Sequence, residues 1–259
     1  MNGKAAQVYG LLPIAVALFF LPDRGVGQTP SPPAAKTAAP IDLTGYWVAV
    51  ITEDWRWRMV TPAKGDYQSI PITAQAQKVA DAWDPAKDEA AGEQCKSYGA
   101  PGLMRAPTRL HITWQDDNTL KMESDYGTQT RLFRFGNWKA PSGAASLQGN
   151  SVASWEMAGA GRGGAARQPP EGPKSGDLKV VTTHLRAGYL RKNGVPYSAN
   201  ANVTEYWDLI HEKNGVEWLM FTMRVEDPEY LSRPWLTTLQ FRKEPDGAKW
   251  DPTACSARW

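Results

Sequence analysis

The feature that most constrains the fold is a series of short segments rich in β-branched and aromatic residues, each bounded by turn-forming residues. Segments of this length and composition are typical of β-strands. Loops such as residues 115–118 and 212–215 suit hairpin connections between them. The nine segments are Gly45–Glu53, Thr108–Trp114, Thr119–Asp125, Thr130–Phe135, Ser151–Met157, Leu178–Leu185, Ala201–Ile210, Glu217–Val225 and Trp235–Lys243.

The pattern predicts a mostly-β fold. Strands joined by short loops form an antiparallel sheet, and a sheet of this size usually protects its two edges by closing on itself. We therefore expect an antiparallel closed or nearly closed barrel, with a two-sheet sandwich as the alternative. One short helix is expected over Ala74–Trp83, because Thr73 is a suitable N-cap and Asp84-Pro85 ends the Ala-rich run.

The N-terminal residues have the pattern of an export signal. Lys4 precedes an apolar stretch from Val8 to Leu21, and the small residues Gly25 and Gly27 follow it. The apolar stretch is too short to cross a bilayer as a helix. We therefore expect residues 1–27 to be a cleaved signal peptide, and the mature protein to be secreted or periplasmic.

The rest of the chain is expected to form one folded unit. Residues 28–40 are rich in Pro and Ala and predict a linker without apolar residues to bury. Residues 41–259 then form a single β-barrel domain. Residues 158–176, rich in Gly, Ala and Pro, predict a flexible loop within it. No other apolar run reaches transmembrane length, so we expect no stable insertion into a membrane.

The first predicted strand resembles the opening of lipocalin-like barrels, which carry a G-x-W motif matched here by Gly45-Tyr46-Trp47. In that family the Trp plugs the closed end of the barrel, and an Arg from the last strand packs on its face. The resemblance implies that Trp47 has this structural role and that Arg242 is its cationic partner, in a cation–π contact of about 1 kcal/mol.

A longer resemblance covers Cys95 to the C-terminus and is to a group of secreted, largely uncharacterised bacterial proteins. Many of those proteins have a G-H-P-H-S-D loop, which residues 194–199 replace with Gly-Val-Pro-Tyr-Ser-Ala. The resemblance therefore implies export and a fold but no activity. The matching segments are Cys95 with 99–101, Ser151–Glu156, Gly176–Thr182, Val203–Tyr206 and Val225–Trp235.

The chain has two cysteines, Cys95 and Cys255. An even number in an exported protein predicts one disulfide. The alternative is that one of them is a thiol nucleophile, but the sequence offers no obvious His partner for it.

His111, His184 and Glu205 are the candidate catalytic residues. They lie in three different predicted strands. Because side chains alternate along a strand, each of them would point to one defined face of the sheet. If those faces line a barrel cavity, an imidazole and a carboxylate could transfer protons in a cofactor-independent isomerase, cyclase or hydrolase. The alternative is that each His is an ordinary strand residue facing solvent or core.

Twelve Trp residues favour a second function, the binding of a small apolar or aromatic molecule inside the barrel. In the run Asp54–Met59, alternation would put Trp55, Trp57 and Met59 on one face of a strand, either as an aromatic rim or as a buried face. The full set of candidate ligand-binding residues is Trp55, Trp57, Trp114, Arg186, Tyr197 and Trp207.

Other partners are disfavoured by the sequence. The formal charge is +2 without a run of Lys or Arg, which argues against nucleic acid. The chain lacks H-x-H, H-E-x-x-H and C-x-x-C motifs, so no metal is expected. The Gly-rich stretch lacks the G-x-x-x-x-G-K-S/T pattern of a phosphate-binding loop, because Pro173 and not Gly precedes Lys174-Ser175, and no cofactor is expected.

Overall fold

The computed structural model describes Gly3 and residues 33–157 and 176–258. The predicted signal peptide apart from Gly3 and most of the predicted Gly/Pro loop lie outside the described residues. The strands are β1 (Gly45–Val50), β2 (Arg109–Asp116), β3 (Thr119–Ser124), β4 (Gln129–Phe135), β5 (Asn150–Met157), β6 (Gly176–Thr183), β7 (Gly188–Arg191), β8 (Val195–Tyr197), β9 (Asn202–His211), β10 (Glu217–Glu226) and β11 (Trp235–Glu244). Nine of them form a closed barrel in the order β1-β11-β10-β9-β6-β5-β4-β3-β2, and a separate hairpin pairs β7 with β8.

The barrel confirms the predicted mostly-β class and all nine predicted strands. The expectation of a purely antiparallel sheet is wrong at one place, because β4 and β5 pair in parallel, with Phe133 opposite Ser151 and Phe135 opposite Ala153. Residues 136–149 carry the chain back along the barrel before β5 begins, so β5 runs in the same direction as β4. The sandwich alternative is excluded.

The helices are short, and there are more of them than expected. They are α1 (Ala35–Ala38), α2 (Trp55–Arg58), α3 (Ala74–Asp81), α4 (Pro85–Ala90) and α5 (Ala100–Leu103), with a 3-10 turn over Lys96–Tyr98. The predicted helix is α3, and the Thr73 hydroxyl accepts a hydrogen bond from the Ala76 N–H at 3.2 Å, as an N-cap should.

The prediction of a strand at Asp54–Met59 is wrong, because α2 occupies this run. Asp54 has a φ of +52°, which breaks the extended conformation after β1. The N–H groups of Trp57 and Arg58 then bond the Asp54 carbonyl. Trp55 and Trp57 consequently point in different directions instead of sharing one face.

Alternate residues of each strand point into the barrel and are buried. Trp47 is fully buried, and its indole N–H donates to the Leu43 carbonyl at 2.9 Å. Its cationic partner is Lys243, 5.2 Å from the ring centroid. The prediction of Arg242 is wrong by one residue, because Lys243 is the register partner of Trp47 and Arg242 faces the opposite side of the sheet.

Two ends of the barrel differ in how they are covered. Residues 51–108, 184–201 and 227–234 connect strands at one end, and they bond one another there. For example, the Thr73 N–H donates to the Tyr230 carbonyl at 2.9 Å, and the Asn193 amide donates to the Ala63 carbonyl at 3.0 Å. We call this the capped end.

Helix α1 contacts the opposite end. Its Ala35 carbonyl accepts a hydrogen bond from the Trp155 indole at 2.9 Å, and the Ala35 N–H donates to Asn118. Ala35 is itself buried. The folded domain was expected to start at Ile41. That boundary is too late, because α1 and the buried Ala35 already contact the barrel.

The predicted disulfide between Cys95 and Cys255 is present, with Cα atoms 5.1 Å apart. It ties the C-terminal tail to the segment that follows α4, at the capped end. The tail is also fixed by the Thr253 N–H, which donates to the Asp125 carbonyl at 2.9 Å.

Candidate functional site: a cationic cleft at the capped end

The three candidate catalytic residues do not converge. His111 faces outward on β2, where its ring stacks on Tyr46 at 4.2 Å and its Nδ1 lies 3.4 Å from Glu123. His184 is exposed and lies just beyond β6 with a φ of +58°, so strand alternation no longer applies to it. The expectation that both imidazoles line the interior with Glu205 is wrong.

Glu205 does point into the barrel, and its partner there is Arg131. The two side chains are fully buried and form two hydrogen bonds of 2.7 Å each. Arg131 also donates to the Thr182 hydroxyl at 3.1 Å, which lies 2.7 Å from the Ser151 hydroxyl. The carboxylate is thus engaged by a guanidinium and is not placed to exchange a proton with an imidazole.

The barrel interior around this ion pair is filled by the protein's own side chains. Trp207 is fully buried, and its ring lies 5.3 Å from Phe133 and 4.9 Å from Phe221, edge to face. Trp114, toward the end covered by α1, packs 5.7 Å from Phe135. Trp207 therefore belongs to the packed core, whereas Trp114 is half-buried against it and borders an open surface depression beside residues 36–44.

The remaining predicted ligand-binding residues lie at the capped end but apart from one another. Trp55 is 65% exposed on α2. Arg186 forms a bidentate ion pair with Glu93, at 2.8 and 2.7 Å. Tyr197 is fully buried among cap residues, and burial raises the pKa of its hydroxyl. Trp57 is the one member of the predicted set that borders the cleft described next.

A narrow cleft at the capped end brings together four cationic side chains. About 370 Å³ of empty space lies between its walls, counted to the opening, but only about 30 Å³ is wide enough for the centre of a water molecule. That is room for about two waters. The residues that line this cationic cleft are Trp57, Arg58, Ser97, Gly102, Arg105, Ala106, Tyr126, Leu190, Arg191 and Lys192.

Arg58 is the most buried of the four cations, with 2% of its surface exposed. Its Nε donates to the Arg105 carbonyl at 3.0 Å, and its Nη1 donates to the Glu53 carboxylate. Its Nη2 is buried and has no hydrogen-bond partner among the described residues. Burial lowers the pKa of the guanidinium to about 10, which still leaves it charged at neutral pH.

Arg105 and Arg191 add two more buried guanidinium groups. Arg105 donates to Asp54 at 2.9 Å and to the Thr237 hydroxyl at 2.8 Å. Arg191 donates to the main-chain carbonyls of Asp66 and Gln68 and to the Ser69 hydroxyl, at 3.2, 2.9 and 3.0 Å. Burial, and then repulsion from Arg105, lowers the pKa of Arg191 to about 10.

The fourth cation, Lys192, lies on the turn between β7 and β8 and reaches between two tyrosines. Its Nζ donates to the Tyr98 hydroxyl at 2.9 Å and to the Tyr126 hydroxyl. The amine lies 4.8 and 4.7 Å from the two ring centroids. Burial lowers the pKa of Lys192 to about 7.

The aromatic rings that border the cleft are already covered by side chains. Trp57 has the guanidinium carbon of Arg56 at 4.7 Å and that of Arg191 at 5.0 Å from its centroid, and its indole N–H donates to Asp66. Tyr126 stacks with Tyr98 at 5.1 Å. The cleft therefore offers a guest hydrogen-bond donors and positive charge rather than an open aromatic face.

Local sequence patterns gave no indication of this cleft. Its cations come from α2, from the segment before β2, from the last residue of β7 and from the β7–β8 turn, and they meet only when the cap folds.

Known proteins offer no guide to this site: no protein-family model, no curated protein and no solved structure matches the chain. Over residues 33–157 and 176–258, three or more His, Cys, Asp or Glu side chains nowhere cluster in a way that could hold a metal ion. In the same ranges no helix has the length and apolar character needed to cross a membrane.

Proposed function

We propose that the protein binds a small anion, a carboxylate in the first instance, in the cationic cleft at the capped end of its barrel. The observation that carries the proposal is the buried Nη2 of Arg58, a charged donor with no partner among the described residues. A buried donor left unsatisfied costs about 1–3 kcal/mol, and more when it is charged, so a bound acceptor would recover that cost.

The charge balance of the cleft favours an anion. Arg58 and Arg105 each have one carboxylate partner, Glu53 and Asp54. Arg191 instead hydrogen-bonds only neutral oxygens. Burial lowers the pKa of both Arg58 and Arg191, so both charges are less stabilised than in water, and a nearby anion would stabilise them.

The size and polarity of the cleft favour a small ligand over the apolar or aromatic one suggested by the sequence. An apolar guest in the barrel would have to displace rings such as Trp207 and Phe133, which already contact each other. A carboxylate is small enough for the narrow space beside Arg58, where it can accept a charge-assisted hydrogen bond from Nη2, since Nε and Nη1 are already bonded.

The test compares formate with formamide, a neutral molecule of nearly the same shape, by isothermal titration calorimetry at constant ionic strength. We expect formate to bind and formamide not to bind. Arg58→Lys keeps a positive charge but removes the Nη2 donor. It should weaken formate binding by about tenfold or more, since a hydrogen bond to a charged group is worth about 1.5–3 kcal/mol.

Arg224→Lys is the matched control, because Arg224 is an exposed arginine paired with Glu226 on the barrel wall. It should leave formate binding unchanged. Equal binding of formate and formamide, or equal weakening by the two variants, would contradict the proposal.

We also infer that the protein is exported. The signal-like residues 1–27 and the disulfide both support this, since disulfides form mainly outside the cytoplasm. The resemblance to secreted bacterial proteins is untested, but it points to export as well. N-terminal sequencing of the protein purified from its native source should find a start near residue 28, and an intact Met1 would contradict the inference.

A further inference from the structure

Lys192 brings a primary amine to the same cleft as three arginines. We propose that Lys192 forms a Schiff base with a small carbonyl acid, an aldehyde or ketone next to a carboxylate, while the arginines of the cationic cleft hold the carboxylate. The inference rests on the proposed anion-binding function and adds a covalent step to it.

The position of the amine is fixed by its surroundings. Lys192 is 9% exposed, and its Nζ is held between the rings and hydroxyls of Tyr98 and Tyr126. The Tyr98 hydroxyl is anchored in turn, because it accepts a hydrogen bond from the Ser256 N–H at 3.1 Å. A lysine with so little freedom is arranged for a specific contact rather than for general solubility.

The amine is also suited to act as a nucleophile. Burial lowers the pKa of Lys192 to about 7, so a large fraction of the side chain is neutral at neutral pH. A desolvated lysine with a lowered pKa is the form in which this residue attacks carbonyl carbons. Burial also raises the pKa of Tyr126, so its hydroxyl beside Nζ stays protonated; it can relay a proton to a departing oxygen only if it accepts one from the nitrogen.

The proposed reaction is a condensation without a redox step. The Nζ lone pair attacks the carbonyl carbon, a C–N bond forms, and the carbonyl oxygen becomes the hydroxyl of a carbinolamine. The C–O bond then breaks, and the oxygen leaves as water. That water carries one proton lost by the amine and one supplied by Tyr126, and Tyr126 is reprotonated by the second proton that leaves the nitrogen. The product is an imine between the acid and Lys192.

Only about 30 Å³ of the cleft admits the centre of a water molecule, although about 370 Å³ lies between its walls up to the opening, so the shortest carbonyl acids are the ones to test. Glyoxylate and pyruvate are therefore the probes. The full-length mature protein is incubated with each probe and sodium cyanoborohydride, which reduces an imine to a stable secondary amine, and the modified residue is located by peptide mass spectrometry.

We expect glyoxylate to leave a carboxymethyl group on Lys192 well before it labels exposed lysines such as Lys213. Lys192→Arg keeps the charge between the tyrosines but cannot form an imine, and it should lose this labelling while keeping its fold by circular dichroism. Excess formate should slow the labelling by competing for the arginines.

The outcomes separate the two proposals. Formate binding without any labelling preference for Lys192 overturns the Schiff base and leaves anion binding standing. If the protein does not bind formate, and formate does not slow the labelling of Lys192, then Lys192 reacts without an anion-binding site. That result overturns the proposed anion-binding function. Labelling spread evenly over surface lysines overturns the inference as well.

Discussion

The buried ion pair between Arg131 and Glu205 gives the sharpest stability prediction. Glu205→Gln keeps the shape of the side chain but removes its charge. The amide can accept one hydrogen bond, while its NH₂ group would face a guanidinium N–H that also donates. One of the two 2.7 Å hydrogen bonds is therefore lost, and the Arg131 charge is left uncompensated in a fully buried position.

Loss of one hydrogen bond to a charged group costs about 1.5–3 kcal/mol, and breaking a buried pair by removing one partner typically costs about 3–5 kcal/mol in total. Since a domain is stable by only about 5–15 kcal/mol, Glu205→Gln should lose a large part of its stability. Urea unfolding followed by Trp fluorescence measures the difference.

The double variant Arg131→Met with Glu205→Leu is the control, because replacing both charges by apolar side chains is often neutral or stabilising. It should be clearly more stable than Glu205→Gln alone. A loss below about 1 kcal/mol for Glu205→Gln, the value of an exposed pair, would refute the reasoning that this pair is buried and dry.

Three further predictions follow from the same structure. Cys95→Ser with Cys255→Ser opens a loop whose ends are 160 residues apart, and urea unfolding should show a loss of about 5 kcal/mol in the chain-entropy account; an unchanged midpoint would contradict it. Lys243→Met should cost about 1 kcal/mol through the lost contact with the Trp47 ring and the lost ion pair with Glu217, whereas Arg242→Gln should stay within about 0.5 kcal/mol; the reverse order would favour the sequence-based assignment. Lys192 binds fewer protons in the folded state than in the unfolded state above pH 7, so its contribution to the free energy of unfolding should rise from pH 7 to pH 9; Lys192→Met should reduce that rise, and an unchanged slope would argue against a lowered pKa.

The nine barrel strands could be predicted from sequence because their signal is local. Alternating β-branched and aromatic residues between turns mark each strand, and the ranges observed differ from those expected by few residues. The parallel pairing of β4 and β5 could not be predicted, because it depends on the path of residues 136–149 and not on either strand.

Two contacts were missed because a strand position was wrong by one residue or because a segment was assigned the wrong backbone conformation. Lys243 rather than Arg242 packs on Trp47, because a shift of one position turns a strand residue to the other face. The alternation in Asp54–Met59 suggested a strand, but the positive φ of Asp54 begins a helical turn that sends Arg58 into the cleft.

The candidate site was the least predictable part, because it is assembled from distant segments. Arg58, Arg105 and Lys192 are separated in sequence by most of the cap and half of the barrel, and none of them lies in a recognisable motif. Glu205 does face inward, as the catalytic hypothesis required, yet its partner is Arg131 and not a histidine.

Anomalous diffraction from crystals soaked in bromide would locate an anion in the cleft without an activity assay, since bromide is a monovalent anion small enough to enter. We expect a bromide peak within hydrogen-bond reach of Nη2 of Arg58, and its loss when formate is added. Bromide peaks on the outer surface of the protein together with none beside Arg58 would contradict it.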